Sequence, residues 1–121
     1  MPRLTHPDFE ARGIALTFEM DGAPCTALEG ETIAAALTAA GHRVFKRDRD
    51  GRPRGLSCGM GVCFECEVSV DGAAPVGACM TRAVAGTRVR SVDYRKPVPP
   101  PGDAVATRES LRCEVLVVGA G

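Results

Sequence analysis

Four cysteines restrict what this chain can fold into more than any other feature: Cys58, Cys63, Cys66 and Cys79, in RGLSCGMGVCFECEVSVDGAAPVGACMT. The first three are spaced C-x4-C-x2-C, and the fourth comes after twelve intervening residues. In a [2Fe–2S] rhomb each iron needs two thiolates besides the bridging sulfides, so a compact loop must present three sulfurs and the chain must return with a fourth. Gly59 and Gly61 stand where that loop has to curl. Glycine accepts positive φ, and without a side chain it lets N–H groups come close to the negative cluster.

Two other uses of cysteine compete with this one. A structural zinc site also takes four thiolates, but its motif usually comes as two short C-x2-4-C pairs, unlike an x4 gap with two glycines and a lone Cys79. A disulfide framework belongs to secreted chains. The N-terminus MPRLTHPDFEARGIALTFEMDG shows neither an apolar signal core nor a cleavage site, so a cytoplasmic location is expected. Cys25 and Cys113 lie outside the motif and read as ordinary small apolar residues. His6 and His42 lack the spacing for a Rieske-type centre, in which two histidines replace two cysteines on one iron.

With 121 residues the chain has room for one small domain and its appendages. Four Phe, one Tyr and no Trp leave the core to Ala, Val, Leu and Ile, so a metal staple would add stability a core of this kind lacks. A formal net charge of zero argues against a nucleic-acid partner, and no apolar run has the roughly 18 residues of a transmembrane helix.

The pattern along the chain predicts an N-terminal arm over residues 1–12 and a domain over 13–93. Ile14, Leu16 and Phe18 alternate with polar residues as one face of a strand; Asp21-Gly22 is a tight hairpin turn, and 23–28 returns. Next comes IAAALTAAG, a helix with Ile33, Leu37 and Ala40 on one face and Gly41 at its C′ position. In HRVFKRDRDGRPRGLS, Val44 and Phe45 suit a short strand and the rest a charged loop. Residues 65–70 alternate again, Asp71-Gly72 turns, 75–79 brings Cys79 back toward the loop, and 87–92 closes with Val89 and Val92 inward. Two hairpins, a helix and a closing strand give an α+β chain of β-grasp, ferredoxin-like order.

Pro97, Pro99, Pro100 and Pro101 make residues 94–110 an extended proline-rich linker. LRCEVLVVGAG follows, an apolar run ending in Gly119-Ala120-Gly121, which is how the first strand and glycine turn of a Rossmann-type FAD-binding unit begin. Residues 111–121 are therefore expected to open a truncated FAD-binding segment, with a plain terminal strand or tail as the alternative.

The C-x4-C-x2-C loop is that of plant-type ferredoxins. Together with the LEGETIAAALTAAG helix and the F-K-x6-P-R-G stretch from Phe45 to Gly55, it resembles the small [2Fe–2S] domain of multisubunit flavin-dependent amine and imino-acid oxidoreductases. That group includes hydrogen cyanide synthase, opine oxidase, D-hydroxyproline dehydrogenase and the N-terminal region of the sarcosine oxidase alpha subunit, where the cysteines are not always retained. The resemblance implies that Cys58, Cys63, Cys66 and Cys79 hold the cluster. It also implies that FAD or FMN sits in partner flavoprotein subunits or a C-terminal continuation, and that electrons from an oxidised C–N bond leave through this domain. No catalytic site of its own is expected.

Two alternatives stand beside this. The short gap before Cys79 is similar to that of molybdenum hydroxylase small subunits, but those carry a second domain with four more cysteines, and only Cys113 follows here. A scaffold role, with a purely structural cluster, is the other. Residues 43–54 hold six basic side chains against Asp48 and Asp50, which makes them either a solvated loop or, through Arg52 and Arg54, a dock for an acidic patch or a flavin phosphate.

Overall fold

The structure, a computed structural model, describes Arg3 and residues 6–8, 13–95, 110, 112–115, 117 and 119. Seven strands and one helix follow in the order β1 (Ala15–Met20), β2 (Ala23–Leu28), α1 (Ile33–Ala39), β3 (Lys46–Arg47), β4 (Pro53–Arg54), β5 (Glu67–Val70), β6 (Val76–Gly77) and β7 (Arg88–Asp93). The last strand organises the rest. It runs parallel to β1, antiparallel to β5 through Val89, Arg90 and Ser91, and parallel to β3 at Val92 and Asp93. This mixed sheet with one short helix is the α+β, ferredoxin-like β-grasp expected from the sequence.

Both Asp-Gly turns form as expected. Asp21 (φ 48°) and Gly22 (φ 87°) join β1 to β2, and Asp71 (φ 50°) and Gly72 (φ 77°) follow β5. Positive φ at both central residues gives a twist that suits the flanking strands. Each aspartate also fastens β7: Asp21 Oδ1 accepts from the N–H of Ser91, and Asp71 Oδ1 from that of Arg88, both at 2.8 Å.

Helix α1 is capped at both ends. Thr32 Oγ1 accepts the N–H of Ala35 at 3.2 Å. At the other end His42 N–H reaches the Leu37 carbonyl and Gly41 N–H that of Thr38, a Schellman motif that needs the positive φ (91°) of Gly41. The helix buries Ile33, Ala34, Ala36 and Leu37 against a core containing Phe18, Met20, Phe45, Val68 and Val89. Burying a side chain such as Leu37 contributes about 1.5–3 kcal/mol. The small alanines let the helix lie close to the sheet, which compensates for few aromatics.

Several expectations are corrected. Ile14 precedes β1 and is exposed, and Phe18 and Met20 supply the buried face with Leu16 only half-buried. Ala40 is the C-cap and faces solvent, because the helix closes one residue earlier. The strand placed at Val44 and Phe45 is Lys46–Arg47 instead: Phe45 is buried and leads into β3, while Val44 is exposed. The segment taken for a charged loop is a small hairpin, in which Lys46 pairs with Arg54 and Arg47 with Pro53. Asp48 makes its turn, since Oδ1 accepts the N–H groups of Asp50 and Arg52 at 3.0 and 2.9 Å. The proline-rich linker lies outside the described residues except for Tyr94, Arg95 and Ser110. In the stretch expected to start a Rossmann unit, the described residues form no strand, and Val115 and Val117 are exposed.

Candidate metal centre

Three residues with positive φ, Gly59 (68°), Gly61 (81°) and Phe64 (55°), coil residues 58–66 into a loop around a cavity of about 170 Å³. Its wall holds all four cysteines of the motif together with Gly61, Phe64, Gly77 and Met80, and not one charged side chain. Cys58 and Cys63 sit at its half-buried outer side, while Cys66 and Cys79 are buried. A Cβ on Gly61 would meet Met80 Cγ at 2.8 Å, so the bare glycine is what lets the residue after Cys79 pack on the loop.

Cys79 is delivered by main-chain bonds. The pairing of Glu67 with Gly77 and Val68 with Val76 sets the return, and Ala78 N–H continues it by donating to the Cys66 carbonyl at 3.0 Å. On the other side of Cys79, helix α1 takes hold. The N–H of Ile33 donates to the Thr81 carbonyl at 2.8 Å and that of Ala34 to the Ala78 carbonyl at 3.1 Å. These are N–H groups a helix start leaves without intrahelical partners, and here they pin the segment that carries the fourth cysteine.

Loop amides point at sulfur. Met60 N–H donates to Cys58 Sγ at 3.4 Å and Glu65 N–H to Cys63 Sγ at 3.5 Å. The Met60 amide, then the neighbouring Cys63 thiol and the amides of Val62 and Cys63, draw the Cys58 thiol down to about 6. Burial pushes the Cys66 thiol up; the Cys79 amide opposes this, and the Cys79 thiol beside it adds to it. The four cysteines therefore stand as two neighbouring pairs, Cys58 with Cys63 and Cys66 with Cys79.

Among the described residues no three or more His, Cys, Asp or Glu side chains are arranged to hold one metal ion. A two-iron rhomb asks instead for two pairs of thiolates a little apart. An all-thiol donor set, amides aimed at the sulfurs and an uncharged wall fit that group. Cys25 is buried between β1 and the rest of the core, as an apolar residue should be, whereas Cys113 is exposed; neither lines the cavity.

The surroundings of the loop hold residues that sequence reasoning passed over. Lys46 Nζ donates to the Phe64 carbonyl and to Glu67 Oε2, the latter at 2.7 Å. Arg54 makes two bonds to Asp48 Oδ2, at 3.0 and 2.9 Å, and comes within 3.6 Å of Glu65. A Cβ on Gly55 would fall 2.1 Å from the Arg43 carbonyl, so no larger residue fits where the chain leaves the hairpin for the loop. The F-K-x6-P-R-G stretch was the signal for all three. Arg54 is thus engaged within the domain, while the Arg52 side chain lies exposed beside Asp50 at 3.4 Å. The uncharged rim is a further feature: Met60, Val62, Phe64 and Met80, each about two-thirds exposed, stand around the cavity mouth or on its loop.

Comparison with known proteins agrees with this geometry. Residues 14–94 match the model of a 2Fe-2S iron-sulfur cluster binding domain. The hydrogen cyanide synthase subunit HcnA of Pseudomonas aeruginosa is 39% identical over 80 residues, which are 66% of this chain and 77% of that one. HcnA of Pseudomonas protegens is 38% identical over 80 residues, 66% of this chain and 76% of its own. Among solved structures, the L-proline dehydrogenase from P. horikoshii superposes with a TM-score of 0.59 at 25% identity, covering 74% of this chain. The chain spans 18% of the length of that dehydrogenase chain. The resemblance read from the sequence holds, and this chain belongs to the family of 2Fe-2S iron-sulfur cluster binding domains.

Proposed function

We propose that Cys58 and Cys63 ligate one iron and Cys66 and Cys79 the other, and that the domain carries single electrons within a flavin-dependent amine or imino-acid oxidoreductase complex. The observation that carries this reading is the gathering of four thiols, in two pairs, around one uncharged cavity. When bound, the cluster supplies a one-electron redox couple. The chain's own residues do the rest. Amides of Met60 and Glu65 offset negative charge on the outer sulfurs, and the lowered Cys58 thiol is deprotonated, as a ligand must be, at neutral pH. The buried Cys66 and Cys79 tie the centre to the core, and the half-buried Cys58 and Cys63 leave its outer edge open to a partner.

That edge is where a second subunit would sit. Met60, Val62, Phe64 and Met80 are large apolar side chains grouped on the exposed loop and rim, and such grouping marks interaction sites. Methionine suits contact with a partner because its unbranched side chain adapts to irregular surfaces. The relatives at 39% and 38% identity are themselves named as subunits. We place the flavin in the partner, and the complex in the cytoplasm, where thiols stay reduced. The test is anaerobic reduction. Dithionite should bleach the visible absorption of the holo-protein and produce an EPR signal of one unpaired electron per chain. Co-expressed flavoprotein subunits should co-purify, and substrate added to the complex should generate the same signal. A holo-protein whose absorption and EPR stay unchanged under dithionite would contradict the electron-carrier role.

A further inference from the structure

The joint between the second and third cysteines is held by a charge pair from outside the loop. Lys46, on β3, reaches the Phe64 carbonyl and Glu67 Oε2, and its side chain is 11% exposed against 18% for Glu67. The Tyr94 ring lies beneath it, with Nζ 5.4 Å from the ring centre. Phe64 lines the cavity and sits at φ 55°, where a bulky side chain is disfavoured, so its carbonyl is turned to an orientation that the lysine then fixes. Glu67 is the residue after Cys66. Both charges therefore flank the site, one contacting the loop through Phe64 and the other following a ligand, and both are largely withdrawn from solvent screening.

We propose that Lys46 and Glu67 act as a paired positioning and tuning device, in which the lysine favours the reduced state of the centre and the glutamate opposes it. This rests on the cysteine assignment made above. A reduced cluster carries one more negative charge than an oxidised one, so a neighbouring cation raises the reduction potential and an anion lowers it. Lys46→Met removes the cation and leaves Glu67 uncompensated; Glu67→Gln does the reverse and keeps a hydrogen-bond acceptor for Lys46.

The experiment is a redox titration of the holo-protein followed by visible absorption, with iron and labile sulfide measured first. Lys46→Met should shift the potential downward, Glu67→Gln upward, and the double variant should return toward the unmodified protein. Opposite signs are the diagnostic, since a merely structural loss would move both variants the same way. Should Lys46→Met fail to take up the cluster, Glu67→Gln, which retains the lysine and its bond to Phe64, still has to shift upward. Unchanged potentials in both single variants, or shifts of the same sign, overturn the proposal while leaving the ligand assignment intact. An unmodified protein without iron or sulfide would instead sink the ligand assignment itself.

Discussion

Ala78 N–H donates to the Cys66 carbonyl at 3.0 Å, and this one bond sets Cys79 beside Cys66. The bond continues the pairing of β5 with β6, so the register of a hairpin thirteen residues long decides whether the fourth thiol reaches the loop. A slip of one residue would send Cys79 to the opposite face of its strand.

Each of Cys58→Ser, Cys63→Ser, Cys66→Ser and Cys79→Ser should abolish or strongly alter the visible spectrum of the protein purified with iron supplied. Cys25→Ser should leave the spectrum intact and cost about 1 kcal/mol in urea unfolding, because it places a hydroxyl in the core. Cys113→Ser should change neither. A spectrum that survives Cys79→Ser would overturn the ligand set.

Three glycines should separate backbone strain from steric exclusion. Gly59→Ala faces only its positive φ, with no neighbour within 4 Å, and should cost about 1–2 kcal/mol. Gly61→Ala adds the Met80 contact and should cost more and disturb the spectrum. Gly55→Ala meets a main-chain carbonyl at 2.1 Å and should cost about 3 kcal/mol, the largest loss of the series. Urea midpoints compared at constant m-value give the order.

Glu31 fastens the arm to the domain. Its carboxylate accepts from Arg3 at 2.8 and 2.7 Å and from the Leu28 N–H at 2.9 Å. The bond from Arg3 foremost, and then the Leu28 amide, hold the Glu31 carboxyl below the usual range against the opposing effect of burial. A lowered pKa means that the stabilisation is complete above the unfolded-state value near 4.5 and fades as pH falls through the lower folded-state value. Glu31→Gln should therefore destabilise at pH 7 by about 0.5–1 kcal/mol, given the partial exposure of both partners, and the difference should close in acid. A difference that stays constant from pH 7 to pH 3 would contradict this.

Much of this was legible in advance because it rests on local signals. The cysteine spacing, both Asp-Gly turns, the Thr32 cap and Gly41 each act within a few residues. What escaped depends on contacts far apart in the chain. Lys46 and Arg47 form a strand because β7 offers an edge at Val92 and Asp93, and Phe45 goes inward with them. The basic residues of this segment looked like a solvated run, yet Lys46 finds Glu67, and Arg54 finds Asp48 only once the hairpin has formed. Phe64 gave no hint of a left-handed backbone, since bulky residues seldom adopt one. The outward placement of Met60, Val62 and Met80 follows from the loop's curl and not from any periodicity.

Replacing Val62 and Phe64 together by Ser should preserve the spectrum and weaken association with the flavoprotein subunit at least tenfold. An apolar contact should lose little affinity as salt rises, whereas docking through Arg52 would weaken steeply. Association measured from low to high salt, with Arg52→Glu alongside, distinguishes the two. Strong salt dependence abolished by Arg52→Glu would move the interface to the hairpin.

The most direct test of the whole account is a count of metal and labile sulfide in the full chain after anaerobic purification. A chain of this family with the four thiols arranged as two pairs should hold two irons and two acid-labile sulfides. One zinc per chain with no labile sulfide would contradict it.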